Sequence, residues 1–126
     1  ALGRLQLRLM DGRNQRRRAN ATIIMKGLLG AGVTGPARVD AGGLGTWNAF
    51  PVRVRDGAAF QRYLLLRGID TRSDYMSILA FEEEWKRHGD VVYLPNHPGM
   101  DAGDALRVVE AVVSAVKAGF SVKAGY

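Results

Sequence analysis

Between Asp101 and Lys117, the residues Ala105, Val108, Val109, Val112, Val113 and Val116 recur at spacings of three and four. The spacing predicts a helix over 102–117 with one continuous apolar face. A face that wide is unstable in water, so a sheet or another helix must cover it. Asp101 is suited to cap the helix and Asp104 adds favourable negative charge to its first turn. At 126 residues, 47% of them hydrophobic and 24% charged, the chain is the size of one domain and has the composition to build one core.

The candidate covering elements lie upstream. Phe50, Val52 and Val54 alternate with Pro51, Arg53 and Arg55, the period-two pattern of a strand with one buried face. Pro51 has no N–H to give a ladder, which places it at a sheet edge or a strand start. Asp56 then caps a helix over 57–67 that carries Phe60, Tyr63, Leu64 and Arg67 on one side, and Gly68 stands where a left-handed C-cap is wanted. Residues 69–75 return as an extended segment, Glu82 to Arg87 read as a short solvated helix around Trp85, and Val91 to Leu94 form a compact apolar strand stopped by Pro95 and Pro98. At the front, Leu2, Leu5, Leu9, Gly12, Arg16, Ala19 and Ile23 continue a helical pattern towards Leu28. That helix is apolar at its ends and basic from Arg13 to Arg18, so it is expected to cross another surface. The expected organisation is one domain: an entering helix over 1–29, a glycine-rich loop over 30–46, an α/β core over 47–118 and a loose tail over 119–126. The fold class is α+β, a small, mostly antiparallel sheet built from 50–54, 69–74 and 91–94, covered on one side by helices.

The chemistry inventory is thin. Without cysteine there is no disulfide or thiolate metal site, and no serine stands in a nucleophile-elbow setting. His88 and His97 read as surface or loop residues, and no paired spacing supports a metal, so catalytic, cofactor and metal ligands are expected to be absent. Gly42-Gly43-Leu44-Gly45 precedes a strand instead of opening a helix, which makes it a connection and not a phosphate-binding turn. No apolar run approaches the ~18 residues of a membrane span, so a cytoplasmic chain is expected. The net charge is +6, and 14 of the 18 basic residues are arginine. Arginine forks suit phosphates and carboxylates, so on charge alone an anionic ligand or an acidic partner surface is as plausible as DNA or RNA, and the dispersal of the basic residues counts against nucleic acid. The densest polar chemistry lies in Thr71-Arg72-Ser73-Asp74-Tyr75, where hydroxyl, guanidinium, carboxylate and phenol groups follow a helix end. That mixture suits a polyhydroxy or phosphorylated ligand.

The order Asn48-Ala49-Phe50-Pro51-Val52-Arg53-Val54, then Leu66-Arg67-Gly68-Ile69, Thr71 and Tyr75, then Leu94-Pro95-Asn96-His97-Pro98-Gly99-Met100 before a valine-rich helix resembles the C-terminal domain of the DegT/DnrJ/StrS sugar aminotransferases. The leading segment from Leu5 through Arg16-Arg17-Arg18 to Leu28 looks like the long helix entering that domain. The resemblance implies the small domain of an aspartate-aminotransferase fold, and a homodimeric enzyme that moves an amino group from an amino-acid donor to a nucleotide-linked keto sugar. It also implies pyridoxal phosphate (PLP) held on a lysine of a larger N-terminal domain, a motif that none of Lys26, Lys86, Lys117 or Lys123 matches. A fragment lacking that domain is expected to be inactive, and the start at Ala1-Leu2-Gly3 fits an excised piece. By the resemblance, Thr71, Arg72, Asp74 and Tyr75 line the substrate pocket. Members often carry histidine where this chain has Asp74, which leaves the identity of the sugar open. The reading from another class is a non-catalytic basic module that binds an acidic partner or nucleic acid through Arg13 to Arg18.

Overall fold

A computed structural model describes residues 2–34, 45–73 and 89–124. Three helices, α1 (Leu2–Gly30), α2 (Gly57–Leu65) and α3 (Ala102–Lys117), accompany three strands, β1 (Phe50–Val54), β2 (Asp90–Leu94) and β3 (Val122–Ala124). The sheet is antiparallel in the order β2-β1-β3, and the fold is α+β as expected. The predicted helix at 82–87 lies outside the described residues.

Local signals place the helix ends. Asp56 accepts from the Ala59 N–H at 3.0 Å. Asp101 and Asp104 exchange side-chain-to-backbone bonds of 2.8 and 3.1 Å in a reciprocal capping box, which satisfies two N–H groups the helix start leaves open. α2 closes through Gly68 at φ +78°, with the Ile69 N–H bonded back to the Leu64 carbonyl at 3.0 Å. α1 closes in the same way through Gly32 at φ +79° and a Val33 N–H to Leu28 bond of 3.0 Å. Both are left-handed caps that glycine adopts without a Cβ penalty.

β1 is the central strand. Its Phe50, Val52 and Val54 are buried and pair with Leu94, Val92 and Asp90 of β2. The expectation of an edge position for Pro51 is replaced by its other form, a strand start: β3 pairs only from Val52 onward, so Pro51 lies outside that ladder. Pro51 and its partner Tyr93 are buried too, so the sheet is not bare on its second face. Phe60 and Leu64 from α2, Val108 and Val112 from α3, and Ile24 and Leu28 from α1 complete one core, with Val116 packed half-buried against it. Side chains of this kind contribute about 1.5–3 kcal/mol each on burial.

Two sheet expectations are corrected. Among the described residues, 69–73 form no strand and meet β2 through a bridge between Arg72 and Tyr93, while Asp74 lies outside the described residues. Asp70, Arg72 and Ser73 give that stretch too little apolar surface to bury. The third strand comes instead from Val122–Ala124, inside the segment expected to be loose. It is anchored by Phe120, whose ring meets Phe60 and Tyr63 with centroids 5.6 and 5.3 Å away.

Two buried asparagines tie α1 to the rest. Asn96 donates from Nδ2 to the carbonyls of Trp47 at 2.8 Å and Arg17 at 3.0 Å, and Asn20 donates to Met100 O at 3.2 Å. Trp47 is held at φ +50° and stacks on Phe50, a left-handed backbone that a non-glycine residue keeps only when its surroundings impose it. Gly89, at φ +90°, turns the chain into β2, and an added Cβ would lie 2.5 Å from the Val54 carbonyl oxygen. Gly89→Ala is therefore expected to cost the ~1–2 kcal/mol of a left-handed residue plus the clash. Urea unfolding checks this as a lower midpoint with unchanged slope.

Candidate functional site

The turn at Gly68 carries the chain from α2 to the edge of β2. There the Arg72 N–H donates to Tyr93 O at 3.2 Å, and the Tyr93 N–H donates to Arg72 O at 2.7 Å. Gln61 Nε2 donates to the Thr71 carbonyl at 3.2 Å, fixing this segment to α2. Thr71 is half-buried, whereas Arg72 and Ser73 are exposed. The backbone of the segment is thus held at its start while Arg72 is presented outward. Asp74 and Tyr75, the other two expected pocket residues, lie outside the described residues.

Beside this segment is a groove of about 440 Å³ between the end of α2, the loop after β2 and the first turns of α3. Arg67, Asp70, His97, Asp104 and Arg107 bring two guanidiniums, an imidazole and two carboxylates to it, over an apolar floor that includes Ile69 and Val108. Arg67 lies 3.6 Å over the Tyr63 ring and donates to the Tyr63 carbonyl at 3.3 Å, a contact that limits its rotamers. Arg107 is 3.7 Å from Asp104. Forked donors and acceptors around a small apolar floor suit a ligand that carries hydroxyls and an anionic group. Neither Thr71 nor Arg72 lines the groove itself, although Asp70 does.

The sequence reading missed Arg67, His97 and Arg107 as a set. The loop containing His97 is brought to α2 only by the pairing of β1 with β2 and by the capped start of α3. His88 lies outside the described residues. Among the described residues no group of three His, Cys, Asp or Glu is placed to hold a metal, and no helix is long and apolar enough to cross a membrane. Lys26, Lys117 and Lys123 are all exposed.

No family model matches the chain. A curated relative, the dTDP-3-amino-3,6-dideoxy-alpha-D-galactopyranose transaminase of Aneurinibacillus thermoaerophilus, is 32% identical over 120 residues, covering 86% of this chain and 33% of its own length. Among solved structures, S. venezuelae DesV, determined in complex with a ketimine intermediate, is 29% identical with a TM-score of 0.69, over 90% of this chain and 34% of DesV. A sugar aminotransferase from Micromonospora echinospora is also 29% identical, with a TM-score of 0.62, over 82% of this chain and 31% of its own. The aminotransferase TlmJ from Streptoalloteichus hindustanus shares the fold at a TM-score of 0.76 and 24% identity, over 92% of this chain and 35% of TlmJ. The chain spans about a third of the length of these relatives. In sequence and fold the chain is thus similar to about a third of the length of known sugar aminotransferases, in line with the resemblance to the C-terminal domain of the DegT/DnrJ/StrS family.

Proposed function

We propose that this chain is the substrate-facing small domain of a PLP-dependent aminotransferase that moves an amino group from an amino-acid donor to a nucleotide-linked keto sugar. The observation that carries the reading is the 32% identity to a dTDP-sugar transaminase over 86% of the chain. The polar segment at Thr71 and Arg72, anchored by Gln61 and Tyr93, supports it as a pocket wall. Asp74 and Tyr75 are assigned to the same wall by resemblance.

PLP supplies the electron sink for amino transfer when bound. The described residues of this chain do not fit it, because Lys26, Lys117 and Lys123 are exposed and none lines the groove beside α2. The cofactor is assigned to a separate N-terminal domain, in a homodimer with sites at the subunit boundary. The first turns of α1 suit contact with such a domain: Leu2 is 72% and Leu7 65% exposed, with Leu5 and Met10 exposed as well. Several large apolar side chains exposed on one segment are a usual mark of a covered surface. The comparisons give no support to a free-standing basic module.

The test is Arg72→Ala in the intact enzyme. Arg72 is assigned to substrate binding with no part in proton transfer, so the Michaelis constant for the keto sugar is expected to rise while kcat and the cofactor absorbance stay unchanged. Loss of one charge-assisted hydrogen bond, about 1.5–3 kcal/mol, corresponds to roughly a ten- to hundredfold fall in kcat/KM. A collapsed kcat at unchanged KM would place Arg72 in the chemistry and refute the assignment.

A further inference from the structure

The α1 face around Gly12 forms a cleft of about 270 Å³ lined by Arg8, Leu9, Gly12, Arg13, Arg16 and Pro98. Arg8, Gly12 and Arg16 follow one another at four-residue intervals, so they share one face of the helix. The two arginines flank the glycine one turn on each side, across roughly 12 Å of helix axis. Gly12 leaves the floor open, since an added Cβ would meet nothing within 4 Å. Pro98, on the loop after β2, walls the other side, and Leu9 supplies an apolar margin.

The charge of the cleft is one-sided. Arg13 donates to Gln6 Oε1, a neutral acceptor. Among the described residues neither Arg8 nor Arg16 has a carboxylate within 4.0 Å. Asp11, the one acidic residue of α1, does not line the cleft. Three arginines thus line a cleft whose lining holds no carboxylate, and a guanidinium fork matches the oxygens of a phosphate. The mixed-charge groove at α2 and α3 differs in this respect, because it holds its own Asp70 and Asp104.

We propose that the cleft over Gly12 is an anion site for a phosphate-bearing small molecule, with Arg8 and Arg16 as its two clamps and Arg13 beside them. Inorganic pyrophosphate is the probe, since it offers two phosphoryl groups to a pair of arginines. The inference is independent of the aminotransferase reading, since it uses residues of α1 and the loop at Pro98 alone.

Titration of the full 126-residue chain with inorganic pyrophosphate, followed by two-dimensional amide NMR, tests it. One-to-one binding is expected, with the largest shifts from Arg8 to Arg16. Arg8→Gln and Arg16→Gln are each expected to raise Kd about tenfold, the loss of one charged hydrogen bond. Gly12→Leu removes no charge and replaces a poor helix former, yet it places a side chain on the cleft floor and is expected to abolish binding in a chain that still folds. Arg55→Gln, a charge control away from the cleft, is expected to leave Kd unchanged. Shifts scattered over many arginines, equal weakening by Arg55→Gln, full binding by Gly12→Leu, or tighter binding of the dicarboxylate glutarate than of pyrophosphate would each overturn the proposal.

Discussion

Phe60→Ala is expected to destabilise the domain by about 3–5 kcal/mol, the range for truncating a buried aromatic side chain. Phe60 is fully buried on α2, where that helix meets the sheet, and its ring stands edge-on to Phe120. Truncation removes the ring's own burial, leaves a cavity and frees Phe120 from one of its two aromatic neighbours. Phe120 anchors the approach to β3, so the loss is expected to spread to that strand. Urea unfolding reads the total, and amide exchange is expected to show Val122 to Ala124 losing protection before β2. Equal loss across β2 and β3, or a change below about 1 kcal/mol, would mean that β3 does not depend on this packing.

Gly27→Leu is expected to have an effect of similar size by the opposite route, overfilling a contact. A Cβ on Gly27 would lie 2.5 Å from one methyl of Val109 and 2.8 Å from the other, both on the buried face of α3. Overpacking alone costs about 1–3 kcal/mol. Here the helices must also part, which exposes some of the burial of Ala21, Ile24 and Leu28, and the sum is about 3–5 kcal/mol. The signature is selective loss of amide protection over the second half of α1 with α2 and the sheet retained. Gly27→Ala is the milder comparison: its single methyl clashes with Val109 alone, yet that buried side chain must still move. If both variants unfold at the wild-type midpoint, α1 does not pack on α3 through Gly27.

These two variants also mark what the sequence made legible. Phe60 belongs to a helix whose start at Asp56 and close at Gly68 are local signals, and the structure contains both caps. The valine face of α3 was legible for the same reason: one residue type repeats at helical spacing, and Val108 and Val112 are fully in the core. Gly27 carried no such signal, because its small size matters only against Val109, 82 positions away in the chain. β3 was missed because three residues are too few for an alternation to register, and its support from Phe120 is non-local. Over 69–73 the sequence overstated the pairing: polar residues compatible with a strand keep only the Arg72–Tyr93 bridge among the described residues. In the candidate site, the anchoring of Thr71 and Arg72 follows from the Gly68 turn. The convergence of Arg67, His97 and Arg107 depends on strand pairing and could not be read along the chain. The inert look of His97 in sequence reflects its place in a Pro-flanked loop, which says nothing of the groove it borders.

The central claim is that this domain serves amino transfer to a nucleotide-linked keto sugar without holding the cofactor itself. The most direct measurement compares amino-sugar formation, by mass spectrometry, for two samples given PLP, glutamate and a dTDP-linked keto sugar. One sample contains the 126-residue chain and the other the proposed intact enzyme, in which a PLP domain accompanies it. The account predicts replacement of the keto oxygen by an amino group, with matching release of 2-oxoglutarate, in the intact sample alone. It also predicts that borohydride treatment of the isolated chain traps no stoichiometric PLP adduct, since exposed lysines give only weak, scattered imines. Amino transfer by the isolated chain, a one-to-one adduct at a single lysine, or an intact enzyme that binds PLP yet aminates no nucleotide-linked keto sugar would contradict it.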